Sequence, residues 1–156
     1  MVHAIVVGGS GSLGRGIVSA FKHLSVINVD FEVNKDAASN ILLEKQQNWV
    51  HQAKVVTEKV ENVLANGNAN AIIHCAGGWA GGALGEDSTL DSMDSMWKMN
   101  VQSAILASHL TARVLNPDGG LAVLTGAQAA ALGATPDMAA YGMSKAATHH
   151  LTQTLA

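Results

Sequence analysis

The sequence predicts an open, doubly wound α/β fold of three layers, with one parallel sheet covered by helices on both faces. Two observations carry the prediction. Short continuous apolar runs of strand length recur along the chain, as expected of strands buried on both faces. Between them, apolar residues repeat every three or four positions, the period of helices that bury one side. Strand, helix and strand in alternation imply parallel strands joined by right-handed helical crossovers. At 156 residues the chain is one domain's worth, long enough to bury roughly 70% of its unfolded surface.

The first strand is predicted at Ala4 to Val7, where the apolar run ends in glycines. Leu13, Ile17, Val18, Phe21 and Leu24 then follow helical spacing. Val26 to Val29 reads as the second strand and Asn40 to Leu43 as a weaker third. Trp49, Ala53, Val56, Val60 and Val63 mark a helix that "ANGNAN" (Ala65 to Asn70) stops with residues favoured at helix ends. Ala71 to Ala76 is a further buried strand. One long helix is expected from Leu90 to Leu115, with Ser88 and Asp91 at capping-box spacing. "NPDGG" breaks it, Leu121 to Leu124 forms the last strand, and a final helix starts near Asp137 and runs to Ala156. That makes about five strands, where a doubly wound sheet commonly has six. Residues 1–156 therefore read as a single domain that lacks its C-terminal strands.

Composition narrows the function classes. Apolar residues make up 48% and charged residues 13%, which argues for a large core and against disorder. A formal charge of −3 with no basic block argues against a nucleic-acid surface. No apolar run approaches membrane-spanning length, and "MVHAIVVGGSG" lacks the basic start and cleavage site of a signal peptide. Cys75 is the only cysteine, so no intrachain disulfide is possible. A cytoplasmic location is the expectation.

"VVGGSGSLGRG" places Gly9-x-Gly11-x-x-Gly14 directly after a strand and at the opening of a helix. A side chain at Gly9 would obstruct the tight turn, one at Gly11 would hold the backbone off a pyrophosphate, and one at Gly14 would push helix from strand. The helix start supplies free N–H groups and partial positive charge for phosphate oxygens. Asp30 closes the second strand 21 residues after Gly9, where a carboxylate would accept from the adenosine ribose hydroxyls. This is the dinucleotide-binding pattern of the Rossmann type. The charge of Asp30 would repel a 2′-phosphate, favouring NADH over NADPH, although Arg15 just after the loop is a cation that could attract one.

Tyr141 and Lys145 stand four residues apart and share a helix face. A phenol is almost fully protonated at neutral pH. A nearby cation stabilises the phenolate and makes the tyrosine a usable acid. Yet Ala127, Gln128, Ala129, Ala130 and Ala131, where a partner hydroxyl is expected, include no Ser or Thr. Thr125, two residues before Ala127, reads as a strand residue packing by its methyl.

The glycine loop, Asp30, "AGG" at Ala76, Gly77 and Gly78, Asn100, and the Tyr141/Lys145 pair together resemble the short-chain dehydrogenase/reductase family. "AGGWAGG" (Ala76 to Gly82), "MWK" (Met96 to Lys98) and "TPDMAAYGMSKAATHHLTQTLA" (Thr135 to Ala156) are similar to its dihydropteridine reductase branch. The resemblance implies NADH-dependent reduction of a quinonoid dihydropterin to the tetrahydropterin, as in tetrahydrobiopterin recycling. Tyr141 would donate the proton, while Lys145 tunes it and holds the nicotinamide ribose. Ser12 and Leu13 of the loop, Ala76 to Gly78, and Asn100 would join Gly9, Gly11, Gly14 and Asp30 around the cofactor. Trp79 would present a flat apolar surface to the pterin. Ala127 fits this branch, because a conjugated diimine accepts hydride readily and needs no carbonyl polarised. The alternatives are a non-catalytic NAD-binding sensor or scaffold, and another short-chain reductase acting on a carbonyl.

Other features read as structural. None of the seven histidines forms a metal-ligand pair at helical spacing, so no metal is expected. Cys75 reads as a small hydrophobe, and Trp49 and Trp97 as packing residues. The near-apolar circumference between Val101 and Leu115 suggests a helix buried on more than one side. With the family's habit of pairing such helices, it implies a homodimer through this long helix and the tyrosine helix.

Overall fold

Side chains alternate strictly across the strands, and the two helix layers divide along that alternation. The computed structural model describes residues 1–65, 67–133 and 135–156. Five strands, β1 (His3–Val7), β2 (Ser25–Asp30), β3 (Ser39–Leu42), β4 (Ala71–His74) and β5 (Leu121–Leu124), form one parallel sheet in the order β3-β2-β1-β4-β5. Ile5, Val7, Ile27, Val29 and Ile72 point to one face. There they meet Val56 and Val60 of α2 (Trp49–Leu64) and Leu106 and Leu110 of α4 (Ser103–Val114). Val6 and Val26 point to the other face, against Val18 of α1 (Ser12–Ala20). Each fully buried side chain of this size contributes about 1.5–3 kcal/mol, so the first face holds most of the core. On the α1 side the β5 end is barely covered, and Leu121 and Val123 remain exposed.

The five strands match the sequence expectation within a residue or two at their ends. Asn48 caps α2, its Oδ1 accepting from the Val50 and His51 amides at 3.0 and 3.2 Å. The stop at "ANGNAN" takes an unexpected form. Ala65 itself adopts the left-handed conformation, with φ 49°; Asn66 lies outside the described residues. The region read as one long helix is three pieces: α3 (Ser88–Met96), a π-helical turn (Trp97–Gln102) and α4. Ser88 does not cap. Asp87 occupies the N-cap position without a side-chain bond, and Ser88 Oγ turns instead to Glu86 at 3.4 Å. The extra residue of the π turn shifts the helical register, which leaves Trp97 half exposed rather than packed. A short α5 (Gln128–Ala131) precedes α6 (Ala139–Leu155).

The apolar circumference of α4 is consumed within a single chain. Ala104, Leu106, Ala107, Leu110 and Val114 are all buried, facing the sheet, α2 and α6. A second subunit is not needed to cover them.

Candidate active site

Strand order reverses between β1 and β4, and in sheets of this type ligands bind outside the C-terminal strand ends at that point. A cleft of about 990 Å³ lies there. Gly11, Ser12, Leu13, Asp30, Ala76 and Gly77 line it, as do Ser10, Phe31 and Trp49, which the sequence did not place at a site. Gly9 and Gly14 do not line it. A Cβ at Gly14 would come 2.0 Å from the Gly8 carbonyl oxygen, and one at Gly9 would come 2.4 Å from Asn28 Oδ1. Gly8, not singled out by the motif, has the most demanding position. Its φ is +90°, and a Cβ would strike the Ala76 amide at 2.3 Å, so β1 and β4 can meet only at a glycine.

The loop rests on a polar network. Asn28 sits within buried β2, and its Nδ2, with two hydrogens to donate, lies 2.8 Å from Asn40 Oδ1, 3.1 Å from the Glu32 carbonyl oxygen and 3.2 Å from Ser10 Oγ. Asn34 Nδ2 donates to the Gly9 carbonyl at 2.7 Å. Asp30 accepts the Ser10 amide on Oδ2 at 2.7 Å and the Phe31 amide on Oδ1 at 2.6 Å. The carboxylate is therefore preset at the cleft wall. Arg15 turns to the Ser10 carbonyl at 2.6 Å. Sequence reasoning missed the asparagines, though an amide inside the apolar run of β2 is itself a signal, because a buried polar group requires partners.

At the other end, the π turn aims Asn100 inward. Its Oδ1 accepts the Gly78 amide at 2.8 Å, and its Nδ2 donates to the Gly78 carbonyl at 3.1 Å and to Ser144 Oγ at 2.8 Å. Asn100 thus clamps the loop after β4 to α6. Lys145 is buried, and its Nζ donates to the Thr125 carbonyl at 2.9 Å. The ammonium lies 3.5 Å from where a Gly77 Cβ would be, which brings it to the rim of the cleft. Burial pushes the Lys145 pKa below its ordinary value. Tyr141 is half-buried one turn earlier on α6.

One expectation needs correction here. Thr125 does not pack by its methyl alone: its hydroxyl donates to the His74 carbonyl at 2.5 Å, tying the end of β5 to β4. His74 is fully buried, with Nε2 at 2.9 Å from Ser103 Oγ. Burial, and secondarily the Lys145 charge, push its pKa down to about 4. Cys75 packs beside Val6, Val18 and Val26, and burial pushes its thiol up to about 11. Trp79 is exposed and folds back over Gly81. The Gly82 amide donates to the Asp137 carbonyl at 2.8 Å, and Gly82 forms a parallel bridge with Met138. That ties the tryptophan loop to the chain three residues before Tyr141. Tyr141, Lys145, Asn100 and Gly78 do not themselves line the cleft; Gly77 is where the two ends join.

A family model described as enoyl-(acyl carrier protein) reductase matches residues 12–156. The sequence is 40% identical over 154 residues to a Dictyostelium discoideum protein named dihydropteridine reductase, covering 97% of this chain and 64% of that protein. The chain belongs to the short-chain dehydrogenase/reductase family. It is also 28% identical over 163 residues to a 7alpha-hydroxysteroid dehydrogenase of Escherichia coli strain K12, covering 98% of this chain and 63% of that one. A variant of a Serratia marcescens short-chain dehydrogenase/reductase superposes with a TM-score of 0.76 at 26% identity, covering 99% of this chain and 71% of that structure. A short chain dehydrogenase from Salmonella enterica serovar Typhi has a TM-score of 0.80 at 19% identity, covering 99% of this chain and 69% of that one, and shows the fold alone. This short-chain dehydrogenase/reductase chain spans 63–64% of the length of the curated relatives it matches.

Proposed function

We propose that this chain carries NADH-dependent reduction of a quinonoid dihydropterin to the tetrahydropterin, with Tyr141 as proton donor. The observation that carries the reading is the turn after β5. There Lys145 bonds the Thr125 carbonyl, and Ala127 at the N-cap of α5 offers a methyl where a carbonyl-reducing site would need a hydroxyl. The 40% identity to a protein named dihydropteridine reductase supports the same reading.

The cleft suits a dinucleotide in size, being at the upper end of the roughly 300–1,000 Å³ usual for small-molecule sites. Gly11, Ser12 and Leu13 would offer backbone amides to the pyrophosphate, and Asp30 would accept from ribose hydroxyls. Arg15 is engaged by Ser10, which supports NADH over NADPH. Bound reduced nicotinamide supplies a hydride. From the protein's side, Tyr141 delivers a proton to a pterin nitrogen. Lys145, one turn along α6, would supply a cation to the phenol and hold the nicotinamide ribose. Trp79 offers the pterin an exposed indole face. Hydride plus proton convert the conjugated diimine to the tetrahydropterin with charge and electrons balanced.

A homodimer through the long helical stretch from α3 to α4 and through α6 belongs to this proposal, supported by the exposure of Leu90, Trp97 and Met99 on the first and Met143 on the second, the apolar residues of α4 itself being buried within the chain. Residues 1–156 would then form a single nucleotide-binding domain. A second reading, an NAD-binding module without turnover, is favoured by one observation: Tyr141 and Lys145 stand off the lining of the cleft. NADH oxidation in the presence of quinonoid dihydropterin separates the two. The enzyme reading expects turnover, with NADH bound more tightly than NADPH. NADH binding without turnover, in a chain extended to the relatives' length, supports the module.

A further inference from the structure

Tyr141, Lys145 and His149 succeed one another at four-residue intervals on α6, so a single stripe of the helix carries all three. Two of them grip consecutive parts of one turn. Lys145 Nζ donates to the Thr125 carbonyl at 2.9 Å, and His149 Nε2 accepts the Ala127 amide at 3.1 Å. Gly126 lies flat on the imidazole between them: a Cβ there would come 2.4 Å from Nε2. Ala127 is in turn the extended N-cap of α5, and its carbonyl accepts the Ala131 amide at 3.2 Å. To accept at Nε2, the neutral ring must carry its proton on Nδ1.

We propose that His149 is a positioning residue, which hangs the β5–α5 turn from the tyrosine helix and fixes the distance between Ala127 and Tyr141. This rests on the pterin-reductase reading of the site. The same bond takes up the Ala127 N–H, which a substrate carbonyl would otherwise meet. The turn therefore offers substrate a methyl group and no donor at that point. Such a surface suits a flat conjugated ring better than a ketone, and His149 sets this preference from behind the turn without touching substrate.

The test reads the Ala127 amide and pterin binding separately. In His149→Phe, which keeps a ring against Gly126 but has no acceptor, Ala127 amide exchange measured by NMR should accelerate about tenfold. Pterin affinity measured by calorimetry should weaken about fivefold, while NADH affinity stays within about twofold. His149→Gln, whose amide oxygen can reach the position of Nε2, should restore both quantities. If His149→Phe does not fold, Gly126→Ala drives a methyl against the ring and should shift the same two quantities in the same direction. Unchanged Ala127 exchange, or faster exchange with unchanged pterin affinity, overturns the positioning role. A wild-type chain that binds no pterin overturns the pterin reading and the role built on it, a failure distinguishable because Ala127 exchange is read without any ligand.

Discussion

Around the glycine loop, the supporting side-chain bonds join residues no more than 25 positions apart: Ser10 to Asp30, Asn34 to Gly9, Asn28 to Asn40. Around Tyr141 they reach further. Asn100 bonds Ser144 across 44 positions, and Thr125 bonds His74 across 51. The nucleotide end of the cleft is thus largely complete within one strand–helix–strand unit. The tyrosine end exists only when β4, the π turn, β5 and α6 have all docked. It also borders the thinly covered β5, where Leu121 and Val123 are exposed. Substitutions at the first end should change nucleotide binding, and perturbations at the second should change assembly and chemistry.

The largest expected break is at the nucleotide end. Gly14→Val forces a Cβ into backbone, 2.0 Å from the Gly8 oxygen, where nothing flexible can yield. NADH affinity by fluorescence titration should fall more than about 100-fold. Retained affinity would mean that the loop is not the pyrophosphate seat.

At the tyrosine end, His74 ties stability to pH. Its folded pKa is pushed to about 4, whereas the unfolded chain titrates near the ordinary value of about 6.5. Between those values the unfolded chain holds a proton that the folded one does not. Stability is therefore complete above about pH 6.5, declines as pH falls, and levels off near pH 4, a loss of about 3 kcal/mol. Urea unfolding at pH 7 and pH 4.5 measures it, and His74→Gln should flatten most of the slope. An unchanged slope would place the acid sensitivity elsewhere.

The smallest effect sharpens the comparison. Asp30→Ala should weaken NADH about tenfold and narrow its advantage over NADPH, through loss of a charged acceptor for the ribose. Turnover at saturating NADH should stay within about twofold. A large fall in turnover would show that the two ends are coupled more closely than their separate bonding indicates.

The same contrast explains what the sequence made legible. The strand runs, the glycine loop and Asp30 are contiguous or lie within one supersecondary unit, so periodicity and spacing expose them. The i, i+4 spacing of Tyr141 and Lys145 survives for the same reason. The π turn at Trp97–Gln102 does not, because one added residue leaves the apolar pattern on either side intact while rotating Trp97 to solvent. The work of Thr125 and His149 was hidden too. Both act through bonds to backbone atoms on other elements, and backbone partners leave no residue-type signature. Ser88 misled because capping-box spacing is met by many sequences whose hydroxyl finds a nearer partner, here Glu86.

The central claim is that the tyrosine end performs proton transfer to an imine-type substrate that needs no hydroxyl at Ala127. Turnover of quinonoid dihydropterin with NADH, compared between the wild-type chain and Tyr141→Phe, tests it most directly. Turnover should fall at least about 100-fold in Tyr141→Phe, with NADH affinity unchanged. Equal turnover in the two proteins would contradict it.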